Sequence, residues 1–413
     1  MNKNGLILTL IVVLNIFQYT LAQTNLVKQW DYRYGGNKQE FLADMLQGAD
    51  GSIFLAGSSS SGISGNHSNS CYGAMDYWLV KTDANGIQLW DKNFGGTLND
   101  QLTSAIITND GGFLLGGVSN SDSGGTKTQD KKGVSDYWIV RIDSSGNYMW
   151  DRTFGGSIGN NLYKVVQCPD GGFLIGGASS SPAGIDKSDN CFGVTDYWII
   201  KIDSAGNKLW DKTYGGDDQD FLMSIIVTPD GGFLLAGSSA SDSSGNKISH
   251  SAGNLDYWLI RIDSAGNKIY ERDFGSSGND IMFDIGYAYN NHLILGGCAP
   301  YGVSGDKTIA GYGYLDNWFI ITDTAGNKIS EHIFGGLQTE EFTRLQPTSD
   351  KGWLLCGTSY SDAGFDKSEN NLGKEQTWVV KVDSMMNKVW DKTLLTDCDT
   401  IFHDENAFAF ETL

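Results

Sequence analysis

Proline is scarce, with five residues in 413, and the 54 glycines follow no every-third-residue period, which excludes a collagen-like chain. Positive charge is also short. Lysine and arginine total 29 against 49 aspartates and glutamates, a formal net charge of −20. That balance argues against a nucleic-acid backbone or an anionic membrane as partner. Past the N-terminus no apolar run is long enough to span a bilayer, so no transmembrane anchor is expected. The five histidines (His67, His250, His292, His332 and His403) are scattered, with no metal-ligand spacing. There is no Gly-x-Ser-x-Gly elbow, no phosphate-binding loop and no Cys-x-x-Cys-His haem attachment. Six cysteines form no disulfide framework and read as small buried hydrophobes. Apolar material is plentiful. Hydrophobic residues at 40% and aromatics at 12% are too abundant for a disordered chain.

The N-terminus carries an address. Residues 1–22 read as a cleaved signal peptide: Lys3 supplies the positive start, residues 6–17 the apolar stretch, and Thr20-Leu21-Ala22 a small-residue cleavage site. A membrane anchor fits less well, because Asn15, Gln18 and Tyr19 interrupt the apolar run. The expected mature protein is residues 23–413. It is exported, to the extracellular space, the cell surface or the periplasm, and is expected to be a monomer.

One pattern organises that mature chain. Trp30, Trp90, Trp150, Trp210, Tyr270, Ser330 and Trp390 follow one another at intervals of 60 residues, without insertion or deletion. A Gly pair follows each of the first four, as at Gly95-Gly96 and Gly155-Gly156. An Asp-Gly-Gly turn comes next, at 110–112, 170–172 and 230–232, then Asp-Tyr-Trp at 76–78, 136–138, 196–198 and 256–258. An Asp-x-x-Gly turn closes the unit, as at Asp203/Gly206. Chance does not hold such a register.

Each unit contains four short segments of strand composition bounded by Gly-rich turns; in the third they are NLYKVVQ, GFLIGGASS, DYWIIKID and NKLWDKTY. No stretch keeps a helical apolar period after the signal peptide. One unit cannot bury both of its faces alone, so neighbours must stack. The expected fold is therefore all-β: a β-propeller of six complete four-stranded blades, at about 39–95, 99–155, 159–215, 219–275, 279–335 and 339–395, forming one domain. Surplus strand segments at the two termini are expected to supply a fragmentary seventh blade.

The run Asp203-Ser-Ala-Gly-Asn-Lys-Leu-Trp-Asp-Lys-Thr-Tyr-Gly-Gly resembles the Trp-docking segment of quinoprotein-type propellers. The whole unit, with its Gly-Gly, Asp-Gly-Gly and Asp-Tyr-Trp, resembles the propeller repeats of secreted bacterial proteins associated with type IX secretion. The resemblance covers residues 25–395. It implies the fold and an exported bacterial protein, and brings no cofactor with it.

Two connections per blade are tight turns, and two are loops expected on a common face. Two sets of polar residues repeat there. The first precedes each inner strand: Glu40, Asp100, Asn160, Asp220, Asp280 and Glu340. Around a propeller axis these would form an acidic ring suited to Ca²⁺; alternatively, each caps the amides of its own turn. The second set lies in the long loop: His67, Lys127, Lys187, Lys247, Lys307 and Lys367. These lysines either line a crown of pockets for a repetitive ligand or clasp their own loop. The favoured function is a binding scaffold presenting its long-loop face to a glycan, polymer or protein. A polysaccharide hydrolase or lyase on the same scaffold and a structural envelope module are the alternatives, and no residue stands out as catalytic.

Overall fold

The computed structural model describes residues 30–394. Within them the chain forms six four-stranded antiparallel sheets, each a simple meander, and the fold is a β-propeller of six four-stranded blades. The blades occupy residues 40–94, 100–154, 160–214, 220–274, 281–334 and 340–394. In the third, the strands are Asn160–Gln167, Phe173–Ser179, Asp196–Ile202 and Lys208–Tyr214. The only helical element among the described residues is a single 3-10 turn, Tyr289–Asn291. The segments expected to build a seventh blade, like the signal peptide and Cys398, fall almost entirely outside the described residues. Those that are described before Glu40 form no strand.

Two compact units contain these blades. One comprises residues 34–251 and 257–273, hence the first four blades; the other holds 30–33, 252–256 and 274–394, hence the last two. In the first unit, successive blades are joined by clusters of buried side chains. Phe54 and Leu79 meet Leu102, Phe113 and Trp138; Tyr137 and Ile139 meet Leu162, Phe173 and Trp198; Tyr197 and Ile199 meet Leu222, Phe233 and Trp258. In the second unit, Phe319 and Ile294 pack on Phe342, Trp353 and Trp378. Burying one such indole removes roughly 150–250 Å² from water, on the order of 4 kcal/mol or more. The aromatic pair of each Asp-Tyr-Trp is thus the principal adhesive between neighbours.

Hydrogen bonds fix the angle of the three seams within the first unit. The Tyr77 hydroxyl donates to the Trp138 carbonyl at 2.9 Å, Tyr137 to Trp198 at 3.0 Å and Tyr197 to Trp258 at 3.2 Å. The first strand of each blade carries a bulge, as between Leu102 and Ser104. The bulge presses the backbone against the second strand, where a Cβ on Gly117 would sit 2.0 Å from the Gln101 oxygen. Only glycine fits there. At the periphery, the half-buried Trp150 covers the turn at Gly206 of the next blade, where an added Cβ would lie 2.9 Å from its ring.

Five of the cysteines are described, and all are free thiols. Cys168, Cys298 and Cys356 are buried, and burial pushes the Cys356 thiol up to about 12.

Candidate functional site

The loop joining second to third strand is the longest connection in every blade, for example residues 180–195. Its end runs parallel to the start of the following blade, through the pairs Met75–Asn99, Ser135–Gly159, Thr195–Gln219 and Leu315–Thr339. The long loop and the Gly-Gly loop therefore share one edge of these four seams, as their sequence positions imply.

The loop lysines point inward. Lys127, Lys187, Lys247, Lys307 and Lys367 are all buried. Lys187 Nζ donates to the Asp189 carbonyl at 2.9 Å and to Thr213 Oγ1 at 2.7 Å, and Lys127 makes the matching pair with Gln129 and Thr153. Lys247 pairs with Asp273, Lys307 reaches the Gly302 carbonyl at 2.8 Å, and Lys367 reaches Asn371 Oδ1 at 2.6 Å. Burial lowers the pKa of Lys127, Lys187 and Lys307, and pushes Lys367 down to about 8. His67 takes this position in the first blade. Its ring stacks on Trp78 at 3.8 Å, with Nε2 3.0 Å from Ser59 Oγ and 3.5 Å from Glu40.

The acids before each first strand are buried too. Asp100 accepts from the Gly96 amide at 2.7 Å and Ser121 Oγ at 2.9 Å. Asp220 accepts from Gly216 at 2.8 Å and Ser241 at 3.0 Å, and Glu340 from Gly336 and Ser359, both at 2.8 Å. Asp280 accepts from the Ser276 amide at 2.6 Å, Glu40 from the Gly36 amide at 3.2 Å, and Asn160 from Ser179 Oγ at 2.7 Å. Burial pushes Asp220 and Asp280 up to about 6. Burial also acts on Glu40, but hydrogen bonds from His67, Ser61 and Ser59 outweigh it and hold its carboxyl low. Among the described residues, no group of three or more His, Cys, Asp or Glu side chains is placed to hold a metal ion.

Two features escaped the sequence reading. The first is the Asp opening each Asp-Tyr-Trp. Asp196 is buried and accepts from the Phe192 amide at 2.5 Å, as Asp76 does from Tyr72 at 2.6 Å and Asp316 from Tyr312 at 2.7 Å. Its constant distance before the next blade's acid, as from Asp196 to Asp220, was the available signal. The second is apolar. Four loops turn through Gly65, Gly125, Gly245 and Gly305, each with φ of 55–57°. Ile185 and Phe365 occupy the matching positions at φ of 55° and 54°, with side chains 62% and 61% exposed. Left-handed backbone is a strain for an ordinary residue and more so for a β-branched one. Tyr72, Phe192 and Tyr314 are also exposed on these loops, and Tyr312 stacks on Phe365 with ring centroids 4.6 Å apart.

No family model matches the chain. It is similar to the regulatory protein FlaEY of Caulobacter vibrioides, 24% identical over 213 residues, which are 49% of this chain and 22% of that protein. The chain therefore spans about a fifth of the length of this curated relative. Among solved structures, it is similar to the hydrazine synthase of Kuenenia stuttgartiensis, with 15% identity, a TM-score of 0.45, and 83% of this chain and 77% of that one covered. It is also similar to BamB from Moraxella catarrhalis, with 13% identity, a TM-score of 0.37 and coverages of 80% and 85%. A protein of unknown function from Bacteroides caccae gives 11% identity, a TM-score of 0.41 and coverages of 76% and 89%. No helix among the described residues is long and apolar enough to cross a membrane.

Proposed function

We propose that the chain is an exported binding protein that grips an uncharged glycan polymer with the apolar tips of its long loops. The observation that carries this reading is the placement of Ile185 and Phe365. Each holds a large exposed side chain on left-handed backbone where four other loops use glycine. Strain kept on an exposed loop, offset at Phe365 only by its stack on Tyr312 and at Ile185 by little burial, points to function. Exposed rings at Tyr72, Phe192 and Tyr314 give flat apolar surfaces beside Ser, Asn and Gly, a composition suited to sugar rings. The lysines and first-strand acids serve the interior of the loops in this reading: they hold the tips in place and do not meet the ligand. Export rests on the signal peptide read from the sequence.

A second reading, a propeller module of a larger regulatory protein, is favoured by the 213-residue match to FlaEY. A glycan array probed with residues 23–413, alongside Ile185→Gly and Phe365→Gly, separates the two. Binding of an uncharged polysaccharide by the wild type, weakened at least tenfold in both variants, supports the proposal. A well-folded wild type that binds no glycan, or variants that bind unchanged, overturns it.

A further inference from the structure

Seams between successive blades bring together two buried polar positions, in most of them both carboxyl. One is the Asp of Asp-Tyr-Trp; the other is the first-strand acid of the next blade. Asp196 and Asp220 are such a pair. The Asp220 amide donates to the Thr195 carbonyl at 2.7 Å, which sets the two side chains beside one another. Both residues are fully buried. Asp196 Oδ2 and Asp220 Oδ2 serve their own loops, whereas Oδ1 of each has no well-aligned donor, with the Ser239 hydroxyl beside Asp220 and the Cys191 thiol beside Asp196. Two buried carboxylates this weakly served, next to one another, are costly in a dry seam.

The preceding seam shows what that space requires. Here the pair is Asp136 and Asn160. The Asn160 amide donates to the Ser135 carbonyl at 3.0 Å and lies 3.5 Å from Asp136 Oδ1. A hydrogen-bond donor stands between the two side chains where the Asp–Asp seam has none. The charges agree. Lys127 and Lys132 interact with Asp136 and Lys187 with Asp196, so the Asn160 seam sets its one acid beside two bases. The Asp196–Asp220 seam sets two acids side by side, with Lys187 interacting with Asp196.

We propose that the seam is a proton-binding site: Asp196 and Asp220 share one proton as O–H···O, and the joint between these blades loosens when that proton leaves. Asp316 and Glu340 form the corresponding pair in the last two blades, and Asp76 and Asp100 in the first two. The other titratable groups around the pair are few. Lys187 and the Cys191 thiol face Asp196, with Asp211 beyond Lys187. The buried Tyr197 hydroxyl lies near Asp220 and Asp273, and Lys247 and Asp220 both bond Ser241, Lys247 at its carbonyl and Asp220 at its hydroxyl. Burial raises both members of the pair, Asp220 to about 6. The folded state then holds a proton that the unfolded chain has released above the ordinary aspartate range. Stability contributed by this pair is therefore highest in acid and falls as pH rises through about 6.

Thermal melting of residues 23–413 at pH 4 and pH 8 tests this with two opposite substitutions. Asp220→Asn supplies the amide that Asn160 supplies naturally. It is expected to raise the melting temperature at pH 8 by about 2 °C or more and to leave it unchanged at pH 4. Asn160→Asp creates a further acid pair. It is expected to lower the melting temperature at pH 8 and to have no such effect at pH 4. Shifts of equal size at both pH values in both variants overturn the proposal. So does a rise in wild-type melting temperature with millimolar Ca²⁺ or K⁺ at pH 8 that Asp220→Asn abolishes, because a metal cation and not a proton then bridges the pair.

Discussion

The hydroxyl of Tyr137 donates a 3.0 Å hydrogen bond to the carbonyl of Trp198, one blade further on. Both residues are fully buried, and their rings lie 4.8 Å apart between centroids. A single side chain thus supplies apolar contact, ring packing and a polar latch across one seam. Tyr137→Phe keeps the first two and removes the third. It is expected to cost about 1–2 kcal/mol, read as a lower denaturant midpoint with an unchanged slope.

Gly117 tests the bulge. A methyl group there lands 2.0 Å from the Gln101 carbonyl oxygen and 2.8 Å from the Tyr77 hydroxyl. Neither the strand nor the buried tyrosine can retreat without breaking the first seam. Gly117→Ala is expected to cost about 3 kcal/mol, measured by equilibrium unfolding or seen as loss of soluble protein.

Two left-handed residues should respond in opposite ways to replacement by glycine. Ile185 is exposed, so Ile185→Gly relieves a strain of about 1–2 kcal/mol while losing little burial, and a net gain of up to about 1 kcal/mol is expected. Met386, at φ 64°, takes the place of the turn glycine in the last blade, but its side chain is buried in that unit's core. Relief of strain there is outweighed by about 1.5–3 kcal/mol of lost burial, so Met386→Gly should destabilise by roughly 1 kcal/mol. Calorimetric melting of the two variants side by side checks the sign.

Asp151 provides a pH dependence of the ordinary kind. It is fully buried, yet it accepts from Trp138 Nε1 at 2.8 Å, Tyr148 at 2.7 Å and Thr128 through both amide and hydroxyl. Burial alone would raise its pKa; the hydrogen bonds from Thr128, Trp138 and Tyr148 outweigh that and lower it. The stability it contributes is present above the unfolded aspartate value and is lost as pH falls through the lower folded one. Asp151→Asn should cost about 2 kcal/mol at pH 7, and the difference from wild type should close as pH falls below the ordinary aspartate range. Urea unfolding across that pH range reads it out.

The architecture was legible because its causes are local and repeated. Gly pairs, Asp-x-x-Gly turns and β-branched segments recur in register, and they place all 24 described strands. The loops were less legible. Lys187 in a run of Ser, Gly and Asp reads either as a pocket residue or as a clasp on its own loop; only in three dimensions does its stem lie in the interior and its ammonium meet Thr213. Nor does a sequence distinguish a carboxylate that faces an axis from one that closes its own loop, as Asp100 does on Gly96. Ile185 and Phe365 were within reach, since each stands alone in a column of glycines. In the fifth unit Asn290-Asn291 stands where most other units have Asp-Gly, and both adopt positive φ, 63° and 61°, which asparagine tolerates better than most residues, so the turn survives.

The latch from Tyr77 to Trp138, Tyr137 to Trp198 and Tyr197 to Trp258 always spans 61 positions. A chain built this way counts in whole modules. Duplicating or excising one complete module would renew the same joint at the splice, with donor and acceptor still in phase. Any other length change between those partners has to be absorbed within a single loop, so growth by copying is the path of least resistance for this molecule.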